Sequence, residues 1–420
     1  MRRRDRRVWA LFSVAGLLAL VATPAAHAAV AQGVLDSSFG SGGSAVVPVG
    51  YWAGAASVAV QSDGRILTAG EANVAGQNVI VATRMTSAGR LDRSFGRNGI
   101  VTVAINGGAG VDSGDALVLQ PDGKIVIAGS GRDGTYGPLT FAAVRLNTNG
   151  GLDQSFGQGG IANVPIGSYS IANAVALQPD GKIVLGGTAL EAHNEFAAAR
   201  LNPDGTLDKR FGADGISTFP SRTGGAWALD IQSDGKPVLA GQADYANPQV
   251  RGAQQFMAAR LTRDGTPDPT FGNGGIVTIP VGATALGFGL AHTSDGKLLL
   301  AGPAFTTTNV NAVVKLTPSG AFDQSYGNGG IAAVQDWYGA NGLVLDQSGS
   351  AVIPEVGPAA LRVKPDGSAD QSFGSQGNAL ATTGGGGAAN GAAIQSEGKI
   401  VLAGATNWGG QTVILVQRIR

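Results

Sequence analysis

The chain has 420 residues, with 29 basic and 29 acidic side chains, 68 glycines and no cysteine. The missing cysteine excludes thiol catalysis and a disulfide framework, so stability in any compartment rests on a large apolar core. The balanced charge argues against a nucleic-acid partner, which would require a basic patch.

Residues 1–28 read as a targeting segment. Five arginines lie between Arg2 and Arg7, an apolar stretch runs from Trp9 to Ala22, and Ala26-His-Ala28 has the small-x-small form of a cleavage site. The apolar stretch is too short to span a bilayer and none longer follows, so no membrane span is expected. Arg6-Arg7-Val8-Trp9 is only a faint twin-arginine pattern, and Sec-type export is the reading adopted. Removing five Arg and one Asp leaves 392 residues with 24 basic and 28 acidic groups, a net charge of −4.

The next stretch, Leu35-Asp-Ser-Ser-Phe39-Gly followed by the strand Ala45–Val49, is the end of a repeat that lacks its beginning. The complete pattern is clearest at Gln120-Pro-Asp-Gly-Lys-Ile-Val-Ile-Ala-Gly129. It returns from Gln61, Gln178, Gln232, Thr293 and Gln395, and in worn form as Gln347-Ser-Gly-Ser. Short aliphatic runs stand on either side of each copy, as in Ala116–Leu119 and Ile125–Ala128. Runs this short, bounded by Gly and Asp, read as strands buried on both faces. Pro-Asp-Gly between them suits a tight hairpin, because Pro presets φ and Gly accepts a positive φ.

A second signature follows each hairpin, as in Leu152-Asp-Gln-Ser-Phe156-Gly. Its aromatic recurs at Phe39, Phe95, Phe156, Phe211, Phe271, Tyr326 and Phe373, at spacings of 56, 61, 55, 60, 55 and 47 residues. A period of that length holding four short strands is the mark of a propeller blade. Six whole blades are expected at roughly 55–106, 114–167, 171–222, 226–281, 286–335 and 340–382. The sixth is the most eroded, with Pro354-Glu355 in place of Ala-Gly. The C-terminus supplies the strands that the N-terminal fragment lacks.

The fold class is therefore all-β: a seven-bladed β-propeller of four-stranded antiparallel blades, closed by the N-terminal strand completing the last blade. Residues 29–420 read as a single domain, and residues 44–49 are expected to pair with residues 412–418. Closure of this kind removes exposed sheet edges.

The paired signatures Leu-Asp-x-Ser-Phe-Gly-x-x-Gly and Gln-x-Asp-Gly-Lys-Ile-x-x-Ala-Gly resemble the delta-60 repeat family of bacterial propeller-like proteins, over essentially residues 35–420. The resemblance implies the fold and a secreted or surface setting, periplasmic or extracellular. It implies no general catalytic residues, and none is assigned.

Polar residues that recur in every blade read as structural. Arg84, Arg145, Arg200, Arg260, Lys315, Arg362 and Arg418 end the third strands. Each is expected to pair with the Asp that follows within its own blade, Asp153 for Arg145, with Asp36 completing the split blade. The recurring ring is expected to wedge between neighbouring sheets. Catalytic signals are weak. His193 and His292 stand apart with no zinc-ligand spacing, and there is no nucleophile elbow or dinucleotide fingerprint. Asp112-Ser-Gly-Asp115 and Asp133-Gly are the segments best suited to calcium, although Asp beside Gly is ordinary turn chemistry; no other cofactor is indicated.

Three readings of function stand: a monomeric binding module for glycan, peptide or cell-surface material, a scaffold without a small ligand, and a calcium-assisted hydrolase or lyase at the central channel. The first is adopted, on the placement of aromatics. The hairpin turns and Phe-Gly turns share one face and hardly vary. The second connections and the blade-to-blade links share the other face and vary freely. In these variable segments lie Tyr51, Trp52, Tyr136, Tyr169, Tyr245, Trp337, Tyr338 and Trp408, the candidate binding residues. Asp133, Asn194, Glu195, Asp244, Arg251, Asp336 and Asn407 are their polar neighbours.

Overall fold

A computed structural model describes residues 34–105, 112–132, 137–191, 193–222, 224–244, 254–305, 308–335, 339–381 and 386–420. Seven antiparallel sheets account for them, with no α-helix among the described residues. The first strand in the chain, β1 (Ser44–Val47), belongs to the last sheet. Blade 1 is β2 (Trp52–Val60), β3 (Ile66–Val74), β4 (Gln77–Met85) and β5 (Ile100–Val103). Blade 2 is β6 (Ser113–Leu119), β7 (Ile125–Arg132), β8 (Leu139–Leu146) and β9 (Ile161–Val164). Blade 3 is β10 (Tyr169–Leu177), β11 (Ile183–Leu190), β12 (Asn194–Leu201) and β13 (Ile216–Arg222).

Blade 4 is β14 (Gly225–Ile231), β15 (Pro237–Asp244), β16 (Gln254–Arg260) and β17 (Ile276–Ile279). In blade 5 the inner strand is broken into β18 (Thr284–Ala285) and β19 (Gly289–His292), beside β20 (Leu298–Phe305), β21 (Asn309–Leu316) and β22 (Ile331–Gln335). Blade 6 is β23 (Val344–Leu345), β24 (Ala351–Glu355), β25 (Ala359–Val363) and β26 (Asn378–Leu380). Blade 7 is β27 (Gly387–Ile394), β28 (Ile400–Trp408) and β29 (Gln411–Ile419), and β1 is its fourth strand.

The ring closes as the split repeat requires. Ser44 to Val47 run antiparallel to Gln417 to Ile414, in the register Ser44–Gln417 through Val47–Ile414. The first strands of successive blades touch one another in order around the ring, from β2 through β6, β10, β14, β19 and β23 to β27 and back to β2. The core lies between blades. Each of the seven junctions holds its own apolar cluster, such as Val126, Phe141 and Phe156 of blade 2 against Ile183 and Leu185 of blade 3.

The two repeat signatures meet at one aspartate. Asp153 takes Arg145 Nε at 2.7 Å, Lys124 Nζ from the hairpin turn at 2.9 Å and Ser155 Oγ at 2.7 Å. The Arg–Asp bond repeats at 2.7–2.9 Å for Arg84–Asp92, Arg200–Asp208, Arg260–Asp268, Arg362–Asp370 and Arg418–Asp36. Each of these guanidiniums also lies 4.4–4.9 Å over the ring of its own Phe. Five of the six then reach across the junction. Arg84, Arg260 and Arg418 donate at 2.5 Å to the carbonyls of Thr148, Pro318 and Ser87 in the next blade, and Arg145 and Arg200 donate to the carbonyls of Pro203 and Arg263. The Phe-Gly backbone follows suit, with Gly157 N on Asp204 O at 2.7 Å.

Blade 5 departs from the expected pairing. Lys315 does not join Asp323; its Nζ sits 5.3 Å over the Tyr326 ring, and Asp323 is held by Lys297 at 3.0 Å. A lysine has one point charge and no planar fork, so it cannot serve carboxylate, ring and carbonyl together. Blade 6 also keeps its column less covered. The Arg362 side chain is 26% exposed, against 6% for Arg145.

The hairpins close as the residues dictate, with Gly123 at φ 82° and bonds Gly123 N–Gln120 O and Gln120 N–Lys124 O. In blade 6 the worn turn lies one residue earlier than its sequence suggests. Gly349 N bonds Asp346 O, so Asp346, not Gln347, holds the Gln place. That blade's erosion has a steric cause. Elsewhere a bulge in the inner strand presses a carbonyl onto the repeat's second glycine; a Cβ on Gly129 would lie 1.9 Å from Ser113 O. Glu355 fills that place in blade 6, and pairing there shrinks to the bridge Ala340–Glu355 and the two residues of β23. Asn311 and Asn378 donate to the Glu355 carboxylate at 2.6 and 2.9 Å.

Two outcomes follow for stability. Tyr326 replaces the usual Phe, is 1% exposed, and its hydroxyl has no hydrogen-bond partner among the described residues. An unsatisfied buried donor costs about 1–3 kcal/mol, so Tyr326→Phe should raise the urea midpoint. A lower midpoint would contradict this. The hub aspartates are all held below the ordinary carboxylate range. In Asp36, Asp92, Asp153 and Asp323 the bond from the Ser two residues on is the largest cause, and Asp323 falls to about 2. In Asp208, Asp268 and Asp370 burial acts upward, and the bonds and cations overcome it. Their stabilisation is therefore complete above the unfolded value of 3.8 and is lost as pH falls below it. A pH titration of unfolding free energy should show a steep acid limb below about pH 4.

Candidate functional site

A residue that recurs in every blade meets a need of every blade, so a site is sought where the blades differ. Three such places stand out.

The first is the rim of the variable face. Tyr51 and Trp408 are 75% and 58% exposed, and they lie on neighbouring blades. Tyr51 is in the link entering β2, where its N donates to Asn73 O at 2.7 Å. Trp408 ends β28 opposite Gln411, across a turn through Gly409 and Gly410. Trp52 opens β2 opposite Asn73 and is partly buried, and Tyr169 opens β10 opposite Leu190. Tyr136, Tyr245, Trp337 and Tyr338 lie outside the described residues, as do Asp133, Arg251 and Asp336. Asn194 and Glu195 begin β12, and Asp244 ends β15, on the same face. Asn407 accepts from Thr412 Oγ1 at 3.3 Å.

Reading the aromatics alone missed part of this rim. Leu190, Phe305 and Val356 are also exposed, at 36%, 43% and 41%, and each stands at a second connection. Among the described residues every exposed large apolar side chain except Val34 is on the variable face. The signal was present as an apolar residue closing the second strand where a turn should be polar.

The second place lies at that face near the axis, across blades 1 to 3. Glu71 on β3 is pushed up to about 7 by burial, with the Asp115 charge adding to it. Asp115 on β6 is pushed up to about 6 by burial, against a 2.8 Å bond from Ser113 Oγ. The Tyr169 phenol is raised by burial, with Arg132 and Asp115 acting on it in opposite directions. Asp112 is likewise raised by burial, while its Oδ2 takes Ile105 N at 2.7 Å. Among the described residues no three acidic or imidazole side chains are gathered as a cation site; Asp133 lies outside them.

The third lies at the opposite end of the inner strands. His292 on β19 bonds Asp230 on β14, with Nδ1–Oδ2 at 2.6 Å and the His292 amide on the same oxygen at 3.0 Å. The other blades place aliphatic residues at these registers, such as Val118 and Leu119 in blade 2. His292 is thus a partnered strand residue. His193 stands in the turn between β11 and β12.

Five segments of the chain, residues 61–95, 120–156, 178–211, 232–271 and 293–326, match the family model described as "Domain of unknown function (DUF5122) beta-propeller". This is a β-propeller repeat protein. The propeller is similar in fold to the crystal structure of the polysaccharide lyase Uly1, at 12% identity and a TM-score of 0.52, covering 87% of this chain and 90% of that one. It is also similar to the C-terminal WD40 domain of Sif2, at 10% identity and a TM-score of 0.44, covering 88% and 99%. A third likeness is to the extracellular domain of BT4673 from B. thetaiotaomicron, at 11% and 0.45, covering 87% of this chain and 39% of that one. No curated protein matches the chain. Among the described residues of the propeller no helix is long and apolar enough to cross a membrane.

The Asp230 pair carries a pH signature. Its hydrogen bond holds the His292 imidazolium, so the His292 pKa lies above the ordinary 6.5. The stabilisation is fully present below pH 6.5 and is lost as pH rises through the folded value. NMR titration of His292 should give a midpoint above 6.5, and Asp230→Asn should bring it down. A midpoint unmoved by that substitution would contradict the pairing.

Proposed function

We propose that this chain is a secreted or cell-surface propeller of the delta-60 repeat type, whose variable-loop face binds extended glycan, peptide or cell-envelope material. Residues 1–28 are removed near Ala28 on export, and the mature protein acts as a monomer. One observation carries the reading: the exposed large apolar side chains Tyr51, Leu190, Phe305, Val356 and Trp408 collect on one face of a protein whose other face is fixed by repeated turns. Aromatic and aliphatic side chains left exposed in variable connections carried by a rigid scaffold suit an interaction surface. They are spread around the rim over several blades, which suits a long or broad ligand better than a small one.

Tyr and Trp bring a flat apolar face with a hydrogen-bonding edge, which suits the alternating faces and hydroxyls of a sugar ring. Glycan is therefore the favoured class. A polysaccharide lyase is built on the same fold, in keeping with that choice. The test is a glycan array and a cell-wall pull-down with the mature protein, beside a variant carrying Tyr51→Ala, Trp52→Ala and Trp408→Ala. Loss of these rings should weaken binding at least about tenfold, or about 1.4 kcal/mol, with the thermal midpoint retained. Unchanged binding by a folded triple variant would remove this face from consideration.

A further inference from the structure

The inner strands carry a second, subtler repeat at their bulges. In blades 3, 6 and 7 the residue at this position is Asn173, Asn341 and Asn390. Each donates its amide across the junction to the carbonyl of the residue before the next blade's bulge. The bonds are Asn173 to Ala226 O at 2.7 Å, Asn341 to Ala389 O at 3.0 Å and Asn390 to Ala55 O at 2.9 Å. In blade 2 the register shift between Gly114 and Ala116 puts Asp115 at that position. The carbonyl corresponding to Ala226, Ala389 and Ala55 is then that of Ala172, which precedes the bulge of β10.

An ionised carboxylate has no proton to donate, so it cannot repeat the amide's bond. A carboxylic acid can. We propose that Asp115 is a proton-dependent latch: as the neutral acid it donates to the Ala172 carbonyl and ties blade 2 to blade 3, and on ionisation it lets go.

The surroundings fit this role. One carboxyl oxygen, Oδ2, already accepts from Ser113 Oγ at 2.8 Å, leaving Oδ1 to carry the proton. Ser113 is itself fixed by Ser130 Oγ at 2.9 Å. The ionisable groups that the packed elements bring within reach of the Asp115 charge are Glu71 on β3 and Tyr169 on β10, and Arg132 at the end of β7 acts on Tyr169. β2 carries no ionisable side chain, and the charge on β4, Arg84, is committed to Asp92 at the other end of the strand. Glu71 repels a second negative charge, and Arg132 lowers the Tyr169 phenol. Burial holds Asp115 at about 6 in the fold against 3.8 unfolded. With the folded value the higher, the latch stabilises at low pH and its contribution disappears as pH rises from about 4 to about 6. The hub aspartates have the opposite sign, so the two limbs are separable.

The experiment compares thermal midpoints of the full chain and its Asp115→Asn variant between about pH 3.5 and 8. The amide cannot ionise, so the two should nearly coincide at about pH 3.5, below the unfolded value of 3.8, and the variant should draw ahead through pH 6 to a plateau above about pH 7. A constant offset at every pH, or a variant that falls behind at pH 8, would overturn the latch. Carbon-13 NMR of the unmodified protein provides a reading that does not depend on the variant's folding. The Asp115 carboxyl and the Ala172 carbonyl should shift with one midpoint near 6. An Ala172 resonance that ignores this titration, or an Asp115 midpoint near 3.8, would refute the bond.

Discussion

The propeller depends on one arrangement repeated in five of its seven blades: a buried aspartate that gathers the cations of two distant sequence signatures. In blade 2, Asp153 joins Lys124 of the hairpin turn to Arg145 of the third strand, and Arg145 covers Phe156 and reaches Pro203 in blade 3. A single guanidinium thus satisfies a carboxylate, a ring and a neighbour's backbone, and only a planar fork with five donors can do so. This explains why the two signatures travel together at a fixed spacing. It also explains the chemistry of the junctions. Each blade contributes an apolar wedge, and the polar column beside it fixes the angle at which the next blade docks.

Much of this was legible in the residues. Seven copies of two motifs, with one copy divided between the ends of the chain, require a closed ring and assign β1 to the last blade. The Arg–Asp pairing was readable because both members recur at a separation of eight. Other features were hidden because they depend on contacts between blades. Nothing local marks Lys124 as a partner of Asp153, or Arg145 as a donor to Pro203. The exception at Lys315 arises from side-chain geometry that a like-charge substitution conceals. In blade 6 the turn register misled by one residue, since Gln347 mimics the repeat while Asp346 does its work. The Pro354-Glu355 anomaly was visible, but its meaning required the bulge. A glycine is needed there because a neighbouring carbonyl occupies the space of a Cβ, and Glu355 survives by giving up the strand pairing.

The candidate site was legible to a lesser degree. Tyr51 and Trp408 are exposed in the link before β2 and at the end of β28, whereas Leu190, Phe305 and Val356 look like ordinary strand residues until the turns are seen. The polar groups near the axis were invisible as a set, because Glu71, Asp115 and Tyr169 come from three blades. Individuality in this protein lies where the blades differ, on a rim and an axis carried by a scaffold that blades 5 and 6 modify and the other five share.

The central claim is that the buried Asp–Arg column holds the scaffold, and a double-mutant cycle on Arg145 and Asp153 tests it most directly. Unfolding free energies would be measured for Arg145→Ala, Asp153→Ala and the double variant. Removing either partner of a buried pair strands the other and should cost about 3–5 kcal/mol, and the double variant should cost far less than the sum. Single losses of about 0–1 kcal/mol that simply add would mark the pair as an ordinary surface contact and contradict the account.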